Sequence, residues 1–264
     1  ANFSGSDSFA YQVRDRSYVT SDTVTATITI NYVDGIQPES LSPKTLLMYS
    51  AYPRSINQAS PGSGSIESAS AELGQYDYLV LGAEHERPGH WEYANTKAIL
   101  AHPDMANTTV FGEIALDTVI VHHSLNEIQT RIDEWKEAGA EGIFFSRSDY
   151  AWGVSRDRQN TAVDYARSQG MSILIEAATP ADLFGAEVHA ERNSNGTATS
   201  LNESDFYLYN GHQFSNGSFV DGASWDNTAS ALQIYRDSLG FEVFSYTTNS
   251  ETLDYDEADF FYSW

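Results

Sequence analysis

The amino-acid sequence predicts an α/β protein: a (β/α)8 TIM-type barrel preceded by antiparallel β-strands of an incomplete β-sandwich module. Three observations lead there. Apolar runs recur at fairly regular intervals from Thr45 onward, helical patterns lie between them, and residues 1 to about 32 instead alternate apolar and small polar residues with period two.

The N-terminal alternation is plain in "DSFAYQV" and "TVTATITINYV", which predict half-buried antiparallel strands. Two strands cannot bury a face by themselves, so this arm is expected to continue a sandwich or to pair with another chain. "VDGIQPESLSPK" then sets two prolines and a glycine between two apolar patterns, as a linker does. The expected division is 1–34 for the sandwich strands, 35–44 for the linker and 45–264 for the barrel.

The barrel strands are expected at "TLLMYSAY" from Thr45, "YDYLVLGA" from Tyr76, "TTVFGEIA" from Thr108 and "GIFFSRS" from Gly142. "SILIEAA" from Ser172, "DFYLYNG" from Asp205, "FEVFSYT" from Phe241 and "DFFYSW" from Asp259 complete a count of eight, the number that closes a barrel. Between them, "SLNEIQTRIDEWKEAGA" places Leu125, Ile128, Ile132 and Trp135 on one helical face and ends at Gly139. "SRDRQNTAVDYARSQG" offers Ser155 as N-cap, Ala162, Val163, Tyr165 and Ala166 as the apolar positions and Gly170 as the stop. "WDNTASALQIYRDSLG" repeats the design with Leu232, Ile234 and Tyr235. A barrel normally follows its eighth strand with a covering helix, so the sequence is expected to be an excerpt of a longer chain or to be completed by a neighbouring subunit.

Composition narrows the chemistry. The chain has 264 residues and a net charge of −23, with 14 Lys+Arg against 37 Asp+Glu, which argues against a phosphate-backbone partner. Nucleic acid is therefore not expected, and with no long apolar run neither is membrane insertion. The absence of cysteine excludes disulfides, thiolate metal sites and cysteine nucleophiles. Sequons at Asn2, Asn107, Asn195, Asn202 and Asn216 would accept glycans in a eukaryotic secretory pathway. No nucleophile elbow, phosphate-cradling loop or dinucleotide fingerprint occurs, so triad hydrolases, kinases and dehydrogenases have no support and no cofactor is expected.

Catalytic groups of such a barrel come from the C-terminal ends of its strands. Those ends carry Tyr49 and Tyr52, then Glu84, His85 and Glu86, then Glu113, then Ser146, Arg147 and Asp149, then Glu176, then Asn210 and His212, and finally Tyr246 and Asn249. Aromatic faces, carboxylates and histidines converging on one mouth suit sugar recognition, and two carboxylates on neighbouring strands are the minimum for glycoside cleavage. Glu113 and Glu176 are the catalytic candidates by strand position, with Asp149 as a third. Tyr49, Tyr52, Glu84, His85, Arg147, Asn210 and His212 are candidates for binding substrate. The competing interpretation ties a glutamate to Arg147 or Arg87 in a static ion pair. "EHE" lacks a second ligand cluster at recognisable spacing, so no metal site is expected.

Two resemblances add to this. "NFSGSDSFAYQVRDRSYVTSDTVTATITI", with Gly5, Asp7, Phe9, Tyr11, Val13 and Asp15 in order, resembles the closing strands of bacterial cadherin-like or immunoglobulin-like surface repeats. That resemblance implies a secreted or cell-surface setting. "YDYLVLGAE", "AGAEGIFF", "GVSRDRQNTAVDYARSQGMSILIEAATPADLF" and "SDFYLYNGHQFSNGSF" resemble stretches of the spherulation-specific and endo-α-1,4-polygalactosaminidase-like glycoside hydrolases. The acidic pair which that group carries after its G-I-F stretch falls on Ser146 and Arg147, its strand-five asparagine on Glu176, and an acid late in strand six on Asn210. A serine cannot act as a general acid, and a guanidinium beside the site would keep a would-be acid ionised.

The expectation is accordingly an acidic, extracellular structural or carbohydrate-binding module on a degenerate glycoside-hydrolase-like barrel. It would engage a polysaccharide or glycan and assemble by strand addition into a filament or sheath, or belong to a larger parent polypeptide. The alternative is an active hydrolase of an amino-sugar polysaccharide. Inward-facing glutamates in a clear mouth favour that alternative, and a mouth plugged by Arg147 or aromatic side chains disfavours it.

Overall fold

The computed structural model describes residues 5–11, 24–30, 44–56, 64–210, 214–215, 218–219 and 222–246. The chain divides into two compact units, Ala1–Pro43 and Lys44–Trp264. In the first, β1 (Gly5–Tyr11) pairs antiparallel with β2 (Val24–Ile30), in a register that runs from Gly5 opposite Ile30 to Tyr11 opposite Val24. The β-branched run "VTATITI" suits such a strand. No third strand joins this pair among the described residues.

The second unit alternates strand and helix. Its strands are β3 (Leu46–Tyr49), β4 (Tyr78–Leu81), β5 (Thr109–Ala115), β6 (Gly142–Ser146), β7 (Ser172–Glu176), β8 (Phe206–Asn210) and, after a two-residue hairpin of β9 (Phe214–Ser215) and β10 (Ser218–Phe219), β11 (Glu242–Tyr246). The helices are α1 (Ile66–Leu73), α2 (Tyr93–Leu100), α3 (Leu125–Ala138), α4 (Arg156–Ser168), α5 (Pro180–Phe184) and α6 (Gly222–Leu239). Seven strands form one sheet in the order β11-β8-β7-β6-β5-β4-β3, every neighbouring pair parallel. The strand expected from Asp259 lies outside the described residues. Among the described residues no helix is long and apolar enough to cross a membrane.

Side chains show that the sheet curls on itself. β4 and β11 are separated by four strands, so a flat sheet would hold them about 24 Å apart at ~4.8 Å per spacing. Yet the rings of Tyr78 on β4 and Phe244 on β11 touch with centroids 4.9 Å apart. Phe206 of β8 stacks on Phe244 at 5.4 Å and meets Tyr78 at 5.5 Å and Phe111 of β5 at 5.9 Å. Val80, Phe111, Phe144, Leu174 and Leu208 complete this inner core, with Leu46 and Met48 packed against it. The architecture is that of a TIM-like α/β barrel.

The alternate residues of the same strands face outward to the helices. On α3, Ile128, Ile132 and Trp135 are buried against the sheet. Ser124 caps that helix by accepting from the Glu127 amide, and Gly139 ends it with a left-handed φ of +110° that favours glycine. Leu125, expected on the buried face, is the first residue of the helix and is 36% exposed. Ser155 caps α4, whose Ala162, Val163 and Ala166 are buried, while Tyr165 reaches out to Asp133. On α6, Leu232 is buried but Ile234 is 67% exposed. Residues two apart on a helix lie about 200° round the axis, so these two cannot share a face.

Gly112 lets Trp135 reach the sheet. A Cβ at this outward-facing position would land inside the indole ring, which itself donates from Nε1 to the Glu113 carbonyl at 3.3 Å. Gly112→Ala is therefore expected to destabilise the barrel by about 1–3 kcal/mol through overpacking. Urea unfolding measures the loss, and Gly112→Ala with Trp135→Leu should recover part of it.

Candidate functional site

The inner core fixes which strand-end residues face the mouth. Phe111, Phe144 and Leu174 face inward, so with a period of two Glu113, Ser146 and Glu176 do as well, at the C-terminal ends of the adjacent strands β5, β6 and β7. The Ser146 hydroxyl donates to Glu113 Oε1 at 2.7 Å. The Arg147 amide donates to Glu176 Oε1 at 3.3 Å, from a residue in the left-handed region at φ +51°. Burial raises the Glu176 pKa, and the charges of Glu113 and Asp149 push the same way. The Arg147 hydrogen bond and the Arg147 charge only partly oppose them. β8 brings the backbone of Asn210 level with Tyr246 of β11, and His212 lies outside the described residues.

The Arg147 guanidinium is engaged by Asp117. Its Nε lies 3.4 Å from Asp117 Oδ2, while Asp117 Oδ1 accepts from the amides of Val119, Ile120 and Val121 at 3.1, 2.6 and 2.9 Å. Burial alone would raise the Asp117 pKa, but those amides and Arg147 hold it below the ordinary value. Neither glutamate forms an ion pair with Arg147 or Arg87 among the described residues.

Asp149 is 3% exposed and has both oxygens engaged. Oδ1 caps the 3-10 turn Tyr150–Trp152 by accepting from the Trp152 amide at 3.3 Å, and Oδ2 accepts from the Ala178 amide at 3.0 Å. Asp182 accepts from the Tyr150 amide at 3.0 Å, and the buried Gln159 amide donates to the carbonyls of Ser148 and Asp182. The loops that follow β6 and β7 are thus tied together beside the mouth.

A second group lies at the ends of β3 and β4. Tyr49 follows Leu47 on the outer face of β3 and packs against the helix-layer core, and its hydroxyl donates to the Tyr52 carbonyl at 3.4 Å. A cavity of about 510 Å³ is lined by Tyr49, Ser50, Ala51, Tyr52, His85 and His90, among others. Tyr52 lies 5.8 Å from His85 and 4.6 Å from Trp91, edge to face, and His90 stacks on Trp91 at 5.9 Å. Burial and the neighbouring His90 lower the His85 pKa to about 4.

Glu84, at a left-handed φ of +79°, points instead to α3, where Arg131 Nη1 meets its Oε1 at 2.7 Å. Arg131 is 1% exposed and also pairs with the fully buried Glu86, whose carboxyl burial pushes up to about 7. Arg87 adds pairs to Glu134 at 3.0 Å and Glu127 at 3.4 Å. Sequence reasoning missed Arg131, Trp91 and His90. The signal for the last two was the short loop "HERPGHWEY", which sets aromatic residues straight after a Pro-Gly turn. No group of three His, Cys, Asp or Glu residues among the described residues could hold a metal ion.

No family model matches the chain, and no curated protein matches it. Similar solved structures include a β-N-acetylhexosaminidase from Bacteroides fragilis, 9% identical with a TM-score of 0.42 over 76% of this chain and 49% of that one. An aldo-keto reductase of Bombyx mori in complex with NADP is 12% identical with a TM-score of 0.42 over 93% of this chain and 68% of that one. A GH20 catalytic module of the pneumococcal exo-β-D-N-acetylglucosaminidase is 8% identical with a TM-score of 0.38 over 72% and 64%. The chain thus spans about half the length of the first of these. The barrel assignment rests on the sheet order and the curl described above.

Proposed function

We propose that the barrel binds a polysaccharide across its mouth and cleaves a glycosidic bond, with Glu176 as proton donor and Glu113 as nucleophile or base. The observation that supports this reading is the inward-facing pair set one strand apart on either side of Ser146, in unequal surroundings. Burial keeps Glu176 protonated to higher pH than an ordinary glutamate, as a general acid requires. Glu113 instead accepts the Ser146 hydroxyl hydrogen bond, which orients its carboxyl group. The guanidinium of Arg147 pairs with Asp117 and, among the described residues, with neither glutamate. The resemblance to polygalactosaminidase-like hydrolases suggests a galactosamine-type polymer, and the surface-repeat resemblance of β1 and β2 suggests an extracellular setting.

A second reading is a binding or architectural module without turnover, assembled through strand addition by the N-terminal arm. It is favoured by Ser146, which stands where that resemblance implies an acid, and by Asp149, whose oxygens are both engaged by backbone amides. The test is release of reducing ends from galactosamine-containing and related polysaccharides by the full chain and by its Glu113→Gln, Glu176→Gln variant. Release that the variant loses is the expected result. Retention on an affinity gel without release would replace the hydrolase reading with the binding module.

A further inference from the structure

We propose that the cavity at the ends of β3 and β4 is a subsite for an uncharged sugar ring, a neutral or N-acetylated hexose, with Trp91 as its stacking platform. The proposal rests on the glycan reading of the mouth, which lies at the same end of the same barrel, and it names the sugar class that this end takes. At about 510 Å³ the cavity falls in the range that encloses a small ligand. His85 is one of its lining residues and is 3% exposed, so only a small part of its ring meets the cavity. Ser50 and Tyr52 bring hydroxyl-bearing side chains to the same wall, groups that donate to a sugar hydroxyl or accept from it.

Trp91 is 55% exposed although it touches both Tyr52 and His90. Trp91 is not itself a lining residue but borders two of them, and an indole so exposed suits the C–H face of a pyranose. Its chain neighbours hold it in place. Glu92 is fully buried and pairs with Arg54 at 3.1 Å, accepts from Asn95 at 3.1 Å, and donates its amide to His90 Nδ1 at 3.2 Å.

The lining chemistry selects the ligand. Among the described residues the cavity wall consists of tyrosine, serine, alanine and histidine, with no carboxylate. The adjacent Glu84 carboxylate is committed to Arg131. His85 is uncharged at neutral pH, because burial and His90 hold its pKa at about 4. An ammonium-bearing sugar would lose hydration here without gaining a counter-charge, whereas an N-acetyl or hydroxyl group would not.

Calorimetric titration of the full chain carrying Glu113→Gln and Glu176→Gln, which prevents turnover, tests this. The probes are an N-acetylgalactosamine tetramer and its de-N-acetylated counterpart at neutral pH. The acetylated tetramer is expected to bind at least about tenfold more tightly than the cationic one. Adding Trp91→Ala should weaken it by about tenfold while Trp91→Phe retains most of the affinity. No binding of the acetylated probe, equal affinity in the Trp91→Ala protein, or preference for the cationic tetramer would overturn the proposal. Its fate is separable from that of the hydrolase reading. Trp91-dependent binding by a wild-type chain that releases no reducing ends leaves the subsite standing alone. Hydrolysis with a KM indifferent to Trp91→Ala removes the subsite and leaves the enzyme.

Discussion

Glu176→Gln is expected to slow hydrolysis of an unactivated polysaccharide by about 10²–10⁴-fold, the usual contribution of a positioned general acid. The amide keeps the size of the carboxyl group and can still accept from the Arg147 amide at its place on β7, so the loss reports the missing proton. Two further measurements separate that role from a structural one. On an aryl glycoside, whose leaving group departs without protonation, the variant should lose far less, whereas Glu113→Gln should lose heavily on both substrates. In the wild-type protein, rate should fall as pH rises through the Glu176 pKa. Burial and the charges of Glu113 and Asp149 raise that pKa, so the fall comes at higher pH than for an ordinary glutamate, and it should vanish from the residual activity of the variant. A variant that retains full rate on the polysaccharide would remove Glu176 from the chemistry.

Arg131→Met is expected to cost about 3–5 kcal/mol of stability, the penalty for stranding a buried charge. Arg131 is 1% exposed, and on it converge Glu84, the fully buried Glu86 and His123, whose Nε2 lies 2.8 Å from its Nη1. Methionine fills much of the same space but leaves Glu86 without a counter-charge. The pH dependence has a definite sign. A carboxyl whose folded pKa is raised contributes stability below its unfolded pKa and loses that contribution as pH rises through the folded one. Glu86 already sits at about 7, and loss of the guanidinium raises it further. The gap between wild-type and Arg131→Met urea midpoints should therefore widen from mildly acidic to mildly alkaline buffer. Adding Glu86→Gln should narrow it. A gap that does not change with pH would mean that lost packing, and not the stranded carboxylate, sets the cost.

These two predictions concern features of very different legibility. The barrel strands were legible as apolar runs of the right length, and local chemistry marked Ser155 and Gly139 as helix ends. Glu113 and Glu176 were legible as strand-end acids. Their common orientation was not, because strands buried on both faces, such as "GIFFS" and "YLVL", show no alternation from which inside and outside can be told. The same ambiguity hid Tyr49, which shares the outer face of β3 with Leu47. Arg131 was hidden for another reason. An arginine on an amphipathic helix is ordinarily solvated, and its burial depends on carboxylates forty-odd positions earlier in the chain. The turn of the Arg147 side chain toward Asp117 likewise depends on a loop conformation that no local pattern specifies.

The ring cluster of Tyr78, Phe111, Phe206 and Phe244 has a consequence for how a long polymer could be handled. It makes the barrel a cup with a floor and not a tube with two openings. Past these rings no polymer can be threaded along the axis, so a chain engaged at the mouth enters from that side alone, by its end or across the rim. For the proposed hydrolase, release of single sugars would mark entry by a chain end, and early long fragments would mark binding across the rim.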